Sequence, residues 1–181
     1  MTLLAHAQID TPFAGRAPAI KTARLVLRAP RFEDAKTFAV LAGDRRVAEN
    51  TSSIPSPCSL DEARQWIADA IVQSAAYVIT VSDEMIGACS LEGRDGIPEL
   101  GYWIGVPFWG CGYGTEAARG LIGRAFNGLG HRALTASARV SNPVSRHVLE
   151  KCGFRWTGVR LRRVRAISSS VPVDRFLLER P

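Results

Sequence analysis

The stretch Trp109-Gly110-Cys111-Gly112-Tyr113-Gly114 joins two segments of different character. Residues 99–104, which precede it, are rich in aromatic and β-branched side chains and therefore favour a strand. Apolar residues recur from 118 to 129 at the spacing of one helical face, which predicts a helix that starts near Thr115. Glycines allow tight, partly left-handed turns, and a helix start presents unpaired N–H groups and a positive dipole end. The stretch is therefore predicted to bind an anion.

Length and composition indicate one folded domain. The chain has 181 residues, of which 46% are apolar. No segment comes near the roughly 18 uncharged apolar residues of a membrane span, and residues 1–7 do not resemble a signal peptide. The four cysteines form no C-x-x-C pair, and there are three histidines. We therefore expect no metal and no membrane association, and the thiols fit a cytoplasmic protein.

Charge is distributed unevenly along the chain. Residues 1–116 contain 10 basic and 14 acidic side chains, for a net charge of −4, whereas residues 117–181 contain 13 basic and 3 acidic ones, for a net charge of +10. A polyanionic ligand of the glycine turn would be attracted by the positive second half. A solvated arginine-rich surface explains the same numbers. Binding to nucleic acid is a weaker alternative, and it is not expected.

Sequence patterns divide the rest of the chain into alternating helices and strands. Residues 1–21 lack periodicity and are predicted to be a flexible arm, followed by a single domain over 22–181. Residues 43–58 are rich in serine, threonine and proline and are predicted to be an irregular connection. Ser59 and Glu62 have the spacing of a capping box, and Asn142-Pro143 is a favourable helix start. Strands are predicted at 22–28, 77–82, 85–91, 99–104, 132–140, 154–161 and 172–178, and helices at 31–42, from 59, from 115 and at 142–151.

The glycine turn has features of three kinds of anion site. A nucleoside-triphosphate P-loop is excluded because no lysine follows any of these glycines. A dinucleotide site is suggested by residues 112–117, which satisfy G-x-G-x-x-A. That site also requires an acidic residue about 20 positions later for the ribose, but none occurs between Glu116 and Glu150. The pyrophosphate of an acyl-CoA is the third possibility.

Three segments in a fixed order support the third possibility. They are Glu99-Leu100-Gly101-Tyr102-Trp103-Ile104, the run from Trp109 to Ala117, and the run from Asn142 to Phe154. Together they resemble the GCN5-related N-acetyltransferase (GNAT) family, and within it the RimJ/RimL-like branch that acetylates ribosomal-protein N-termini. The opening segment 22–28 resembles that branch as well. The resemblance covers about residues 22–180.

The resemblance implies a fold and a co-substrate. The fold is mixed α/β, with a central twisted, mostly antiparallel sheet of about six to seven strands, splayed at the acetyl-CoA site and flanked by about four helices. The family signature Q/R-x-x-G-x-G/A falls on residues 109–114, with Trp109 in the place of Gln or Arg. By this resemblance, acetyl-CoA is bound, without a metal, by Trp103, Ile104, Trp109, Gly110, Cys111, Gly112, Tyr113, Gly114, Thr115, Asn142 and Arg146.

The resemblance also implies a reaction in which an uncharged amine attacks the thioester through a tetrahedral intermediate. Such a reaction needs a base, an oxyanion donor and an acid for the thiolate. Glu99 is the candidate base, directly or through water, and a backbone N–H near Trp103 or Ile104 is the candidate oxyanion donor. Ser145 is the candidate acid, or a water replaces it. Many relatives have a tyrosine seven residues after the asparagine, whereas this chain has Leu149.

The sequence leaves more than one class of acceptor possible. The acceptor is expected to be a protein N-terminal α-amine, or alternatively a small-molecule amine such as a polyamine, amino acid or antibiotic. A non-catalytic acyl-CoA-binding module is a further alternative. Acceptor specificity is expected to lie in residues 43–58, the second helix and residues 162–171. A homodimer is left open.

Overall fold

A computed structural model describes residues 18–73, 76–93 and 96–181. Its centre is one eight-stranded sheet with the order β1-β2-β3-β4-β5-β6-β8-β7. Its strands are β1 Ile20–Lys21, β2 Val26–Arg28, β3 Ala76–Val81, β4 Glu84–Glu92, β5 Glu99–Ile104, β6 Ala133–Arg139, β7 Arg155–Val164 and β8 Ser169–Glu179. All neighbouring pairs are antiparallel except β5 with β6.

Five α-helices pack around this sheet in the described part of the chain. They are α1 Ala35–Gly43, α2 Arg45–Ala48, α3 Leu60–Gln73, α4 Tyr113–Gly123 and α5 Pro143–Lys151. The α3 start is confirmed as a capping box, because the Ser59 and Glu62 backbone N–H groups each donate to the other residue's side chain. The α5 start is confirmed as well, since Asn142 Oδ1 accepts from the Ser145 N–H at 3.1 Å.

Two local predictions differ from the structure. The segment 22–28 is not one strand, because Thr22 and Leu25 form a turn closed by the Thr22 N–H and the Leu25 carbonyl at 3.0 Å. Strand β1 consequently lies at Ile20–Lys21, inside the range predicted to be an arm. The connection 43–58 is not wholly irregular either, since α2 forms there with Asp44 as its N-cap.

Each face of the sheet is covered by its own hydrophobic core. Helices α4 and α5 cover one face, with Leu121, Leu134 and Phe176 among the buried side chains. The other face is covered by α1 and α3, where Phe38 stacks on Trp66 with ring centroids 4.5 Å apart. This arrangement leaves the middle of the sheet fixed from both sides, which gives the site a rigid floor.

The sheet divides between β5 and β6. Strand β5 pairs with β4 over its whole length, from Glu99 to Ile104. Among the described residues it pairs with β6 only at Glu99 and Leu100. The rest of β5 therefore has one backbone edge directed at an opening instead of at a strand, as the predicted splayed sheet requires.

Candidate active site

The glycine turn leads directly into α4. Gly110 and Gly112 have φ values of +78° and +79°, a region that favours glycine, and Gly112 is the N-cap of α4. Helix α4 begins at Tyr113, two residues before the predicted start at Thr115. The first N–H groups of a helix have no partner within the helix, so they are available to an anion at this turn.

Trp109 fixes the turn to the end of β5. Its indole Nε1 donates a hydrogen bond to the Ile104 carbonyl oxygen at 2.7 Å. Trp109 is 48% exposed, so one side of the ring also faces solvent. The residue that departs from the family signature thus positions the turn through a side-chain contact with the splayed strand.

Arg24 lies against the same turn, a position that no sequence pattern indicates. Its Nη1 donates to the Cys111 carbonyl at 3.0 Å, and its guanidinium lies 4.7 Å from the centre of the Tyr113 ring. Arg24 Nε donates to Glu116 Oε2 at 2.7 Å, and Glu116 also accepts a hydrogen bond from the Thr22 hydroxyl. Burial acts to raise the pKa of Glu116, but the hydrogen bonds from Thr22 and Arg24 outweigh it and lower that pKa.

A cavity of about 100 Å³ lies beside the division of the sheet. Its floor comes from β4 and β5, and one wall comes from residues 50–54, Trp66 and Arg162. Glu99, Tyr102 and Ser145 also line it, so the predicted base and the predicted acid share one cavity. Parts of the three regions expected to determine acceptor specificity form the wall.

Tyr102 is a candidate catalytic group that the sequence did not single out. Its hydroxyl lies 3.2 Å from Ser145 Oγ, and burial raises its pKa to about 12. Leu149 is buried and lines the same cavity. The phenol that many relatives are expected to have at that helix position is therefore absent, while strand β5 supplies a phenol to the cavity.

Glu99 is held by arginines of strand β7. Its Oε2 lies 2.6 Å from Arg162 Nη2 and 3.5 Å from Arg160 Nη2. Burial acts to raise the pKa of Glu99, but the hydrogen bond and charge of Arg162, with smaller contributions from Ser137 and Arg160, lower it below its ordinary value. The carboxylate is therefore ionised at neutral pH.

The other predicted residues lie around these two centres. The side chains of Trp103 and Ile104 are buried in opposite cores, and Trp103 also lines the cavity. The side-chain oxygen of Asn142 accepts the hydrogen bond that caps α5. Arg146 is exposed and lies 3.0 Å from Glu150 and 3.5 Å from Asp174.

Comparison with known proteins agrees with this geometry. A sequence family described as "Acetyltransferase (GNAT) domain" matches residues 24–155. The chain therefore belongs to the GNAT family of acetyltransferases, and the predicted fold and class of enzyme are confirmed.

One curated relative and two solved structures are similar to this chain over most of its length. An uncharacterized N-acetyltransferase, p20, of Bacillus licheniformis is 28% identical over 148 residues, covering 76% of this chain and 83% of the relative. A Salmonella typhimurium enzyme that modifies the N-terminal serine of a 50S ribosomal subunit protein has a TM-score of 0.75 at 21% identity, covering 91% of this chain and 100% of that one. Mycobacterium smegmatis RimJ, solved in complex with CoA-disulfide, has a TM-score of 0.78 at 17% identity, covering 90% and 88%.

No helix in the described residues is both long enough and apolar enough to cross a membrane.

Proposed function

We propose that this protein transfers the acetyl group of acetyl-CoA directly to a primary amine, and that the acceptor is the N-terminal α-amine of a protein or peptide. The observation that carries the proposal is the cavity at the division of the sheet. It brings a carboxylate, a phenol and a hydroxyl together beside the open edge of β5, on Glu99, Tyr102 and Ser145. The ribosomal N-terminal acetyltransferases among the structural neighbours support the class of acceptor.

Glu99 has a role that follows from its charge. Because arginine contacts lower its pKa, it is an ionised carboxylate and only a weak proton acceptor. It is therefore suited to hold the amine, or a water that carries the ammonium proton to solvent, by a charge-assisted hydrogen bond. Acting through that water, Glu99 would contribute as a general-base residue does, roughly 100- to 10,000-fold to rate.

Tyr102 and Ser145 have the complementary role at the leaving group. One hydroxyl of the pair donates to the other, so a proton remains available for a hydrogen bond to the departing thiolate sulfur. Backbone N–H groups on the splayed part of β5 are the proposed oxyanion donors, as predicted from the family. The first turn of α4 would hold the pyrophosphate of the co-substrate, with Trp109 fixing its position.

Direct transfer is tested by release of CoA thiol from acetyl-CoA in the presence of N-terminal peptides and small amines, with mass spectrometry of the products. Glu99→Gln is expected to reduce kcat/KM by roughly 100-fold or more. Glu84→Gln, at the opposite end of β4 from the cavity, is the matched control and should retain wild-type activity. Thiol release that is unchanged in Glu99→Gln would show that the base is assigned wrongly.

A small-molecule amine is the second candidate acceptor. The cavity volume of about 100 Å³ favours it, because that volume holds a small group more readily than several residues. Acetylation of free amines but of no peptide would establish this alternative. Binding of acetyl-CoA without turnover of any amine would instead indicate a non-catalytic module.

A further inference from the structure

Three arginines lie on one face of the β7–β8 hairpin, and two of them contact Glu99. Arg160 and Arg162 are two residues apart on β7, so their side chains project from the same face. Arg175 on β8 is opposite Gly158, which places it on that face as a diagonal neighbour of Arg160. Gly158 contributes no side chain, and a Cβ built there meets nothing within 4 Å. We call these three residues the arginine cluster.

The arginine cluster has more positive charge than its surroundings neutralise. Arg162 has Glu99 at 2.6 Å, whereas Arg160 reaches the same carboxylate oxygen only at 3.5 Å. No other carboxylate of the described residues lies within ion-pair distance of Arg160 or Arg175. Burial, together with the neighbouring charges of Arg162 and Arg175, lowers the pKa of Arg160. Glu99 thus pairs with two of the three guanidinium groups, Arg175 has no carboxylate of the described residues within ion-pair distance, and an added anion would relieve their repulsion.

The position of the cluster relates it to the acceptor. Glu99 and Arg162 line the cavity, and Arg160 is 41% exposed beside them. If the acceptor amine is bound to Glu99, an anion bound to Arg160 lies on the order of 6 to 9 Å from that amine, from two hydrogen-bond lengths and the Arg160–Glu99 contact. Such a span is the reach of a side chain one residue after an N-terminal amine, because successive Cα atoms are about 3.8 Å apart.

We propose that the acceptor carries a carboxylate within one residue of its reacting amine, and that the arginine cluster binds this anion through Arg160. Guanidinium groups bind carboxylates by paired, charge-assisted hydrogen bonds. This inference rests on the proposed function, since it specifies the substrate of the same site.

The test uses acceptors that differ by one charge. Thiol release is measured with the tripeptide amides Ser-Glu-Ala and Ser-Gln-Ala, and with the single-residue α-amides of aspartate and asparagine, which separate a peptide source of the anion from a small-molecule source. The acidic member of at least one pair is expected to have a kcat/KM about 10-fold higher. Arg160→Gln should remove that preference. Arg163→Gln, on the same strand but the opposite face, is the matched control and should preserve it.

Several outcomes would overturn the inference. Equal kcat/KM within both pairs would show that the cluster does not bind the acceptor's carboxylate. A preference for the acidic acceptor that persists in Arg160→Gln would show the same. A raised KM for acetyl-CoA in Arg160→Gln would assign the cluster to the phosphates of the co-substrate instead. Arg162 is left intact throughout, because its loss would also change the pKa of Glu99.

The two proposals fail separately. Turnover without charge preference contradicts only the arginine cluster. If no amine is turned over, calorimetry on the CoA-loaded protein measures the binding of the same four compounds and tests the anion site by itself. Tighter binding of an acidic member that disappears in Arg160→Gln would uphold the anion site while refuting the acetyltransferase proposal. Equal binding, or none at millimolar concentration, would refute both.

Discussion

Tyr102→Phe removes the hydroxyl that faces Ser145 in the cavity while keeping the aromatic ring. Burial raises the pKa of Tyr102 to about 12, whereas an ordinary thiol has a pKa near 8.5. Full proton transfer from this phenol to a thiolate would therefore be uphill by ~5 kcal/mol, at 1.36 kcal/mol for each pKa unit. Tyr102 is consequently expected to act as a hydrogen-bond donor to the sulfur and not as a proton source.

The size of the effect follows from that role. A hydrogen bond to a charged group contributes ~1.5 to 3 kcal/mol, so Tyr102→Phe should lower kcat/KM by roughly 10- to 150-fold. Ser145→Ala should lower it less, because Tyr102 keeps its own proton. Neither variant should change the basic side of the pH profile, since a group with a pKa of about 12 does not titrate below pH 10.

Steady-state thiol release from pH 6 to pH 10 measures kcat/KM and its pH profile. Thermal unfolding of each variant checks the fold. Tyr77→Phe is the matched control, because Tyr77 is buried in the core and does not line the cavity. An unchanged kcat/KM in Tyr102→Phe would refute the reasoning. So would a basic limb in the wild-type profile that the variant lacks, because it would mean that Tyr102 gives up its proton.

Three further outcomes follow from single contacts. Trp109→Phe removes the hydrogen bond to Ile104, worth ~1 kcal/mol, and should weaken acetyl-CoA binding roughly 5-fold by calorimetry; an unchanged Kd would contradict the positioning role. Gly110→Ala places a side chain at positive φ and should lower the Tm by about 2 to 4 °C. Gly123→Ala, at helical φ with open space around it, should raise the Tm by up to a similar amount, and shifts of the same sign would exclude this account. Because the lowered pKa keeps Glu99 ionised, the acidic limb of kcat/KM should follow the acceptor amine, near pH 8 for a peptide α-amine and near 10.4 for a lysine-type amine; a limb at one fixed pH for both acceptors would count against it.

Local signals in the sequence predicted the scaffold of the site. Ser59 and Asn142 cap their helices as their spacing indicated, because capping depends on residues three positions apart. The position of the glycine turn is also a local feature. Gly112, the N-cap of α4, has a positive φ that favours glycine. These features arise within one turn of chain, so composition and spacing are sufficient to find them.

Contacts between distant segments were not predictable in the same way. Arg24 and Glu116 are separated by 92 residues, and Arg162 and Glu99 by 63, yet both pairs shape the site. In the sequence, Tyr102 is an ordinary strand-forming residue. Only the fold shows that it lies beside Ser145, 43 residues later. No pattern in one sequence links such pairs, because their meeting depends on the register of the whole sheet.

The distribution of charge shows how the two kinds of information combine. The charge of the second half of the chain predicts a cation from that half at the glycine turn, but the structure places Arg24, from the acidic first half, in contact with that turn. Arg160 and Arg162, from the basic half, instead approach Glu99 at the far end of β5 from the turn. The structure therefore separates two cationic regions that the summed charge presents as one. If the arginine cluster binds the acceptor, strand β5 lies between an anion of the co-substrate at one end and an anion of the acceptor at the other, and the thioester is held between them.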